Sequence, residues 1–228
     1  MNEINQLPTH IGIILDGNRR WAKAKGLAKT IGHASGIRQA RKIIKHAGKR
    51  GIHVISMYCF SKENWQRPKD EVEYLMNFFD AFIKKHINEL HKEGVRLKVL
   101  GEMSDLPNFL VESLKKGIEL TKNNKNMIVQ LALNYTGRDE IKRALEKLKE
   151  KDVPITEESI SDHLDTGGIP DLDMIIRTSG EQRLSGFMLW QAAYAELYFT
   201  PVPWPDFTPK EFDKALEEYG NRQRRFGH

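Results

Sequence analysis

The chain has 228 residues, with 36 Lys and Arg against 31 Asp and Glu, a formal charge of +5, and one cysteine. That length suits one domain over residues 1–228, which buries roughly 70% of the surface its unfolded chain exposes and needs no disulfide or structural metal. Cys59 alone excludes an internal disulfide; with no basic segment ahead of an apolar core and no run of roughly 18 apolar residues, a soluble intracellular protein is expected.

Residues 11–15 form a short apolar run, read as a buried strand, which delivers Asp16, Gly17, Asn18, Arg19 and Arg20 where an open α/β sheet has its crevice. Residues 18–29 read as a helical turn with a basic side, interrupted by Gly26. Gly32 and Gly36 bracket a second start, and residues 37–49 follow as an amphipathic helix. Residues 52–60 read as a largely buried strand. Pro68 then starts a helix to about Glu93, with Asp70, Glu71 and Glu73 in its first turns. Its apolar set, Val72, Leu75, Met76, Phe79, Phe82, Ile83, Ile87 and Leu90, widened by Phe78, can cover a sheet or line a greasy cavity.

Residues 95–101 alternate as a less buried strand, 107–123 read as a helix, and 127–135 as a fourth strand. A surface helix follows Gly137. The polar connection 151–170 holds one short helical piece capped by Thr156. Residues 172–177 give a fifth strand; 187–199 read as helix first and strand by Leu197; 201–207 are too proline-rich for regular structure. Thr208, Pro209 and Glu211 open a last helix, which ends in a basic tail at residues 222–225. Strand, helix, strand in this order predicts one α/β domain, a mostly parallel central sheet of about six strands flanked by helices.

Three loops, 16–20, 61–67 and 177–185, then stand at carboxyl ends of strands and carry Arg19, Arg20, Lys62, Arg67, Arg177 and Arg183. Each alone reads as a surface ion-pair residue; together they repel unless an anion joins them. Asp16 reads as a magnesium ligand or as an N-cap, roles compatible in space. For a second acid Glu63, Glu71, Glu181 and Glu196 compete. His33 is a candidate phosphate ligand or an ordinary helix-start residue. Trp21 and Trp65 either seat a hydrocarbon beside a bound phosphate or pack the core; Trp190 and Trp204 read as core or interface. No phosphate-binding Gly-rich Lys motif, dinucleotide fingerprint or H-E-x-x-H run occurs, and no nucleic-acid motif, so nucleic acid is not an expected partner.

Several long motifs in order, H-I-G-I-I-L-D-G-N-R-R-W-A, Y-C-F-S-K-E-N-W-Q-R-P, N-Y-T-G-R-D-E-I, D-L-D-M-I-I-R-T-S-G-E-Q-R-L-S-G-F-M-L-W-Q and A-E-L-Y-F-T-P-V-P-W-P-D-F, resemble the cis-prenyltransferase family, of the undecaprenyl diphosphate synthase type. That resemblance implies condensation of an allylic diphosphate, commonly farnesyl diphosphate, with successive isopentenyl diphosphates. Each step makes a cis double bond, and the polyprenyl diphosphate product is, in bacteria, the precursor of the cell-wall lipid carrier. It implies Mg2+, a homodimer, a cytoplasmic enzyme, and transient contact with the inner membrane face for product release.

By resemblance Asp16 is the essential acid and magnesium ligand, and Gly17, Asn18, Arg19, Arg20, Lys29 and His33 line the allylic diphosphate site. Ser61, Lys62 and Glu63 border the substrate, with Trp21, Trp65 and Arg67 in the wall, and Asn64 helps remove the proton. Arg177, Arg183, Leu184 and Ser185 resemble the isopentenyl diphosphate site. Glu196 is the other magnesium ligand, arriving from the partner subunit, as does part of the basic tail. Lys29 stands where many relatives have arginine, the first loop reads G-N-R-R rather than G-N-G-R, and Gly186 replaces a common asparagine or aspartate.

Ionisation of the allylic C–O bond needs cations aimed at charge developing on oxygen, each worth about 3 kcal/mol or a hundredfold in rate. An amide is a poor base, so Asn64 is expected to orient the phosphate oxygen or water that takes the proton. Each added isoprene unit favours an apolar channel by about 4 kcal/mol. Residues 72–83 are its expected wall, with Leu131 and Leu133 near its floor and Phe78, Phe79 and Phe82 restricting its length. A non-catalytic accessory or lipid-binding subunit of the same family is the alternative; a phosphatase, a nucleotide transferase and a trans-prenyltransferase lack their motifs here.

Overall fold

A computed structural model describes residues 7–222. The apolar run becomes β1 (His10–Ile14), every residue of it buried. Along it Ile11 and Ile13 face one layer of the core while Ile14 faces the other, as strand alternation requires. The remaining strands are β2 (Val54–Ser61), β3 (Val95–Leu100), β4 (Met127–Tyr135), β5 (Met174–Arg177) and β6 (Glu196–Phe199). Their order is β3-β4-β2-β1-β5-β6, and all five pairings are parallel, so every carboxyl end lies along one edge of the sheet. The edge position of β3 explains its half-exposed Arg96 and Lys98.

The helices are α1 (Asn18–Ala24), α2 (Lys29–Lys49), α3 (Lys69–Lys92), α4 (Asn108–Thr121), α5 (Gly137–Glu150), α6 (Glu157–His163) and α7 (Pro209–Asn221), with 3-10 turns over Lys62–Gln66 and Trp204–Asp206. Ile43, Ile44 and Ala47 of α2 and Phe212, Ala215 and Leu216 of α7 meet Ile11, Ile13 and Trp204 on one sheet face. Leu75, Met76 and Ile83 of α3 pack with Leu110 and Leu114 of α4 over Phe60, Leu97 and Leu133. On the other face Phe187 and Met188 cover Ile14, Leu172 and Ile175.

Two readings of the sequence are corrected. The second helix does not start at Ile37: α2 begins at Lys29 and runs through Gly32 and Gly36. A Cβ at Gly32 would lie 2.3 Å from the Asn18 carbonyl oxygen, and one at Gly36 would lie 2.1 Å from Asn18 Oδ1. These glycines let α1 lie against α2 and do not start a helix. The apolar segment after Phe187 is not helical; it is a chain of turns up to β6. Ser185, Gly186 and Met188 take positive φ there, and Gln191 is pinned by its amide to Glu140 and Thr166.

Candidate active site

Because the strands are parallel, the loops after β1, β2 and β5 open on the same sheet edge and share one cavity of about 810 Å³, within the ~300–1,000 Å³ range of small-molecule sites. Asp16 stands just beyond β1. Its carbonyl accepts from Trp204 N at 3.0 Å and from Thr178 Oγ1 at 2.7 Å, which fixes the turn. Gly17 follows at φ 101°, where a Cβ would sit 2.6 Å from Ser179 Oγ, so the turn admits only glycine.

The Asp16 carboxylate faces cations. Oδ2 accepts from Arg177 Nη2 at 2.9 Å and lies 3.2 Å from Arg20 Nη2, while Oδ1 accepts from Gly17 N. Arg177, the last residue of β5, is only 4% exposed. Its other terminal nitrogen donates to Ser185 Oγ at 2.8 Å and to the Arg183 carbonyl, and its Nε is buried without a hydrogen-bond partner. Glu181 bridges Arg20 (3.1 Å) and Arg183 (2.5 Å), tying the first loop to the third. Those exposed pairs are weak and open readily to an anion.

Elsewhere on the cavity wall, Arg19, Lys29, His33 and Arg67 ring the buried carboxylate of Glu71. Burial lowers the His33 pKa and Arg67 adds to that, while Glu71 pulls it the other way. Burial likewise works against the charge on Arg67. Asn18 lines the cavity, with Nδ2 donating to the Leu15 carbonyl and Oδ1 buried without a partner. Ser61 and Asn64 line it from the second loop, joined by a reciprocal cap in which Asn64 Oδ1 accepts from Ser61 N at 3.2 Å.

Not every expected site residue reaches this wall. Trp21 turns toward Lys25, whose Nζ lies 4.3 Å from the ring centroid. Trp65 donates Nε1 to Asn134 Oδ1 at 2.8 Å and packs edge-on against Phe60, a core role. Lys62 reaches Asp139 on α5 at 2.7 Å, and Glu63 is exposed. Leu184 packs beneath the third loop, and Arg183 meets the region only through Glu181 and its carbonyl. Glu196 opens β6 in register with Met174, three residues before Arg177, and pairs with Arg222 at 2.8 Å. At ~3.3 Å per residue it lies about 10 Å back along the sheet from Arg177. Of the basic tail, residues 223–225 lie outside the described residues.

Other wall residues were not expected: Lys23, Leu27 and Ala28 from the α1–α2 region, and Tyr58 and Cys59 from β2. The strand shifts register between Tyr58 and Phe60, and such an irregularity re-aims the side chains there. Burial pushes the Cys59 thiol up to about 12, so it stays protonated as an apolar wall element.

A second, apolar cavity of about 90 Å³ adjoins the first through Leu15, Asn18, His33, Tyr58, Cys59 and Leu75. Phe79, Phe82 and Ile83 of α3 face Leu131 and Leu133 of β4 across it. Val72 and Met76 lie in the adjoining core instead, and Phe78 packs on Tyr74. Asp16 is a hard oxygen donor on the cavity wall, and among the described residues no three or more His, Cys, Asp or Glu side chains form a metal cage. A divalent cation at Asp16 would therefore take its remaining ligands from phosphate and water, as magnesium does. No helix of the described residues is long and apolar enough to cross a membrane.

Residues 14–227 match the family model described as "Putative undecaprenyl diphosphate synthase". The isoprenyl transferase of Clostridium perfringens is 45% identical over 98% of this chain and 91% of its own length. That of Rhizobium meliloti is 45% identical over 100% and 96%. Among solved structures, lavandulyl diphosphate synthase from Lavandula x intermedia, in complex with dimethylallyl diphosphate, superposes with a TM-score of 0.94 at 35% identity, covering both chains fully. A probable undecaprenyl diphosphate synthase from Campylobacter jejuni gives 0.84 at 32%, covering 98% of this chain and all of that one.

Proposed function

This chain belongs to the undecaprenyl diphosphate synthase family of cis-prenyltransferases, an enzyme family that elongates prenyl chains, and from that premise we propose that it condenses farnesyl diphosphate with successive isopentenyl diphosphates in cis. One domain carries the reaction, and the product is a long-chain polyprenyl diphosphate. The observation that supports this most is the junction of two unlike cavities, a cationic one beneath Asp16 and an apolar one between α3 and β4. A prenyl diphosphate needs both at once: a charged head held at the sheet edge and a tail removed from water.

In this reading the allylic diphosphate lies against Arg19, Lys29, His33 and Arg67 with Gly17 and Asn18 beneath it. The isopentenyl diphosphate lies against Arg177 and Ser185, with Arg183 and Arg20 closing over it once Glu181 is displaced. Magnesium bound to Asp16 and phosphate oxygens would supply a Lewis acid that offsets charge on the departing diphosphate. Asn64 spends its carbonyl oxygen on Ser61 N, which leaves its NH2 as donor; it orients the phosphate oxygen or water that accepts the proton. The family resemblance adds a homodimer in which the partner supplies a Glu196 carboxylate, and peripheral contact of the product with the membrane.

The test is the purified chain with farnesyl diphosphate, radiolabelled isopentenyl diphosphate and Mg2+, followed by product length and double-bond geometry. Labelled chains of several added units with cis bonds support the reading. Products with trans bonds, or label consumed without carbon–carbon coupling, overturn it.

A further inference from the structure

Glu71 sits on the first turn of α3 at 7% exposure, one turn before Leu75, which lines both cavities. Its carboxylate is not part of the cavity wall; it stands behind three cations, Arg19, Lys29 and Arg67, and the His33 imidazole, all of which are. His33 Nε2 and Arg67 Nη1 lie 3.5 Å from Oε1, Arg19 Nη1 lies 3.8 Å from it, and Lys29 Nζ lies 3.9 Å from Oε2, which has no hydrogen-bond partner. Two ion pairs away from the cavity are tighter: Arg143 meets Asp165 at 2.6 Å and Arg50 meets Asp213 at 2.6 Å. A charge-assisted bond normally runs ~2.7–2.9 Å. So the cations around Glu71 are attracted but not clamped, and one negative charge offsets several positive ones on this wall of the cavity.

We propose that Glu71 is a built-in counter-ion that holds down the cradle's affinity for diphosphate, so that the inorganic diphosphate formed at each condensation leaves. The inference rests on the diphosphate reading above. In each cycle the allylic C–O bond breaks, and the diphosphate keeps its electron pair. The isopentenyl double bond forms the new C–C bond, and a proton leaves the adduct. The elongated chain now carries the diphosphate of the isopentenyl partner, which must move to the allylic cradle for the next step. A cradle of uncompensated Arg19, Lys29 and Arg67 beside His33 would retain the spent diphosphate and block that move. Glu71 draws on the same cations from behind and lowers the free energy they gain by binding an anion.

The test uses the full chain, with inorganic pyrophosphate as probe, in titration calorimetry with and without Mg2+. Glu71→Gln keeps the shape and removes the charge. It is expected to bind pyrophosphate about tenfold tighter, about 1.4 kcal/mol, and to lower the inhibition constant of pyrophosphate against the allylic substrate in step. A residue that merely supports the fold would weaken binding when changed, so a gain is specific to the proposal. Glu71→Asp keeps the charge but draws it back by one methylene, and should tighten binding about threefold. If Glu71→Gln does not fold, that variant decides alone. Equal or weaker binding in the folded variant overturns the counter-ion role while leaving the diphosphate reading in place. If the parent chain binds no pyrophosphate and makes no polyprenyl product, the diphosphate reading itself fails and the counter-ion role with it.

Discussion

Replacing Asp16 by asparagine separates what the carboxylate does for the fold from what it does for chemistry. The amide keeps the acceptor that Gly17 N uses, but it removes the charge 2.9 Å from Arg177 Nη2 and 3.2 Å from Arg20 Nη2. Breaking a fully buried pair costs about 3–5 kcal/mol. Here the acid side chain is 30% exposed, and Arg177 keeps Ser185 Oγ and the Arg183 carbonyl, so the loss is smaller, about 1–2 kcal/mol. For a chain of this size that lowers the melting temperature by about 2–8 °C. Turnover should fall far more, by about 10²–10³, because stabilisation of charge at the departing oxygen is worth about 3–4 kcal/mol. Pyrophosphate binding in EDTA should be retained or strengthened, since two arginines lose their competitor. The assays are radiolabelled isopentenyl incorporation, thermal unfolding and calorimetry on one preparation. Turnover within threefold of the parent would refute the role of Asp16 in chemistry, and loss of pyrophosphate binding in a folded variant would refute its separation from anion binding.

Gly36→Ala places a Cβ 2.1 Å from Asn18 Oδ1; overpacking of about 1–3 kcal/mol outweighs a helix-propensity gain of about 1 kcal/mol. Lower thermal stability and a raised KM for the allylic diphosphate are expected together, and a variant matching the parent in both contradicts the packing argument. Phe82→Ala opens the apolar cavity, so chain products should lengthen on reversed-phase chromatography, while Leu131→Trp should shorten them. His10 is buried, with its ring nitrogens 2.7 Å from the Pro170 carbonyl and from Ser56 Oγ. Burial lowers its pKa to about 4 from 6.5. The unfolded chain therefore takes up a proton that the folded chain refuses. The neutral histidine's contribution, about 3 kcal/mol, is complete above pH 6.5 and drains away as pH falls toward 4. Urea unfolding at pH 7 and pH 4.5 should show that difference, and His10→Gln should lose it.

The sheet was legible because its strands are short apolar runs bounded by breakers: residues 127–135 read as a strand and are β4. The cationic cavity was legible for a related reason, since the strand ends that carry Ser61 and Arg177 and the one followed by Asp16 converge once the strands are parallel. What failed was whatever depends on a distant partner. Gly32 and Gly36 look like breaks until Asn18 is seen lying against them. The segment after Phe187 has helical composition, yet Glu140 and Thr166, far away in sequence, hold Gln191 in a turn. Trp65 reads either as a ligand platform or as core until its Nε1 is seen donating to Asn134 Oδ1. Glu71 reads in the sequence as a first-turn acid of α3 and one of four competing second acids, because nothing local reveals that Arg19, Lys29 and His33 from α1 and α2 close over it.

The ion pair between Asp16 and Arg177 has a geometric origin that bears on how two diphosphates would share one cavity under the proposed reading. Ile14 and Arg177 are register partners on adjacent parallel strands, so the acid beyond β1 and the arginine ending β5 are neighbours by sheet geometry and not by loop adjustment. The Asp16 carboxylate is thereby tied to the Arg177 guanidinium, and charge arriving at one changes the field at the other. Glu196 has the opposite placement, in register with Met174 and facing Arg222. Within one chain Glu196 thus lies three residues, about 10 Å of strand, behind the level at which Ile14 meets Arg177, and Asp16 lies beyond that level; under the proposed reading a cation held by both carboxylates would need Glu196 from a second copy.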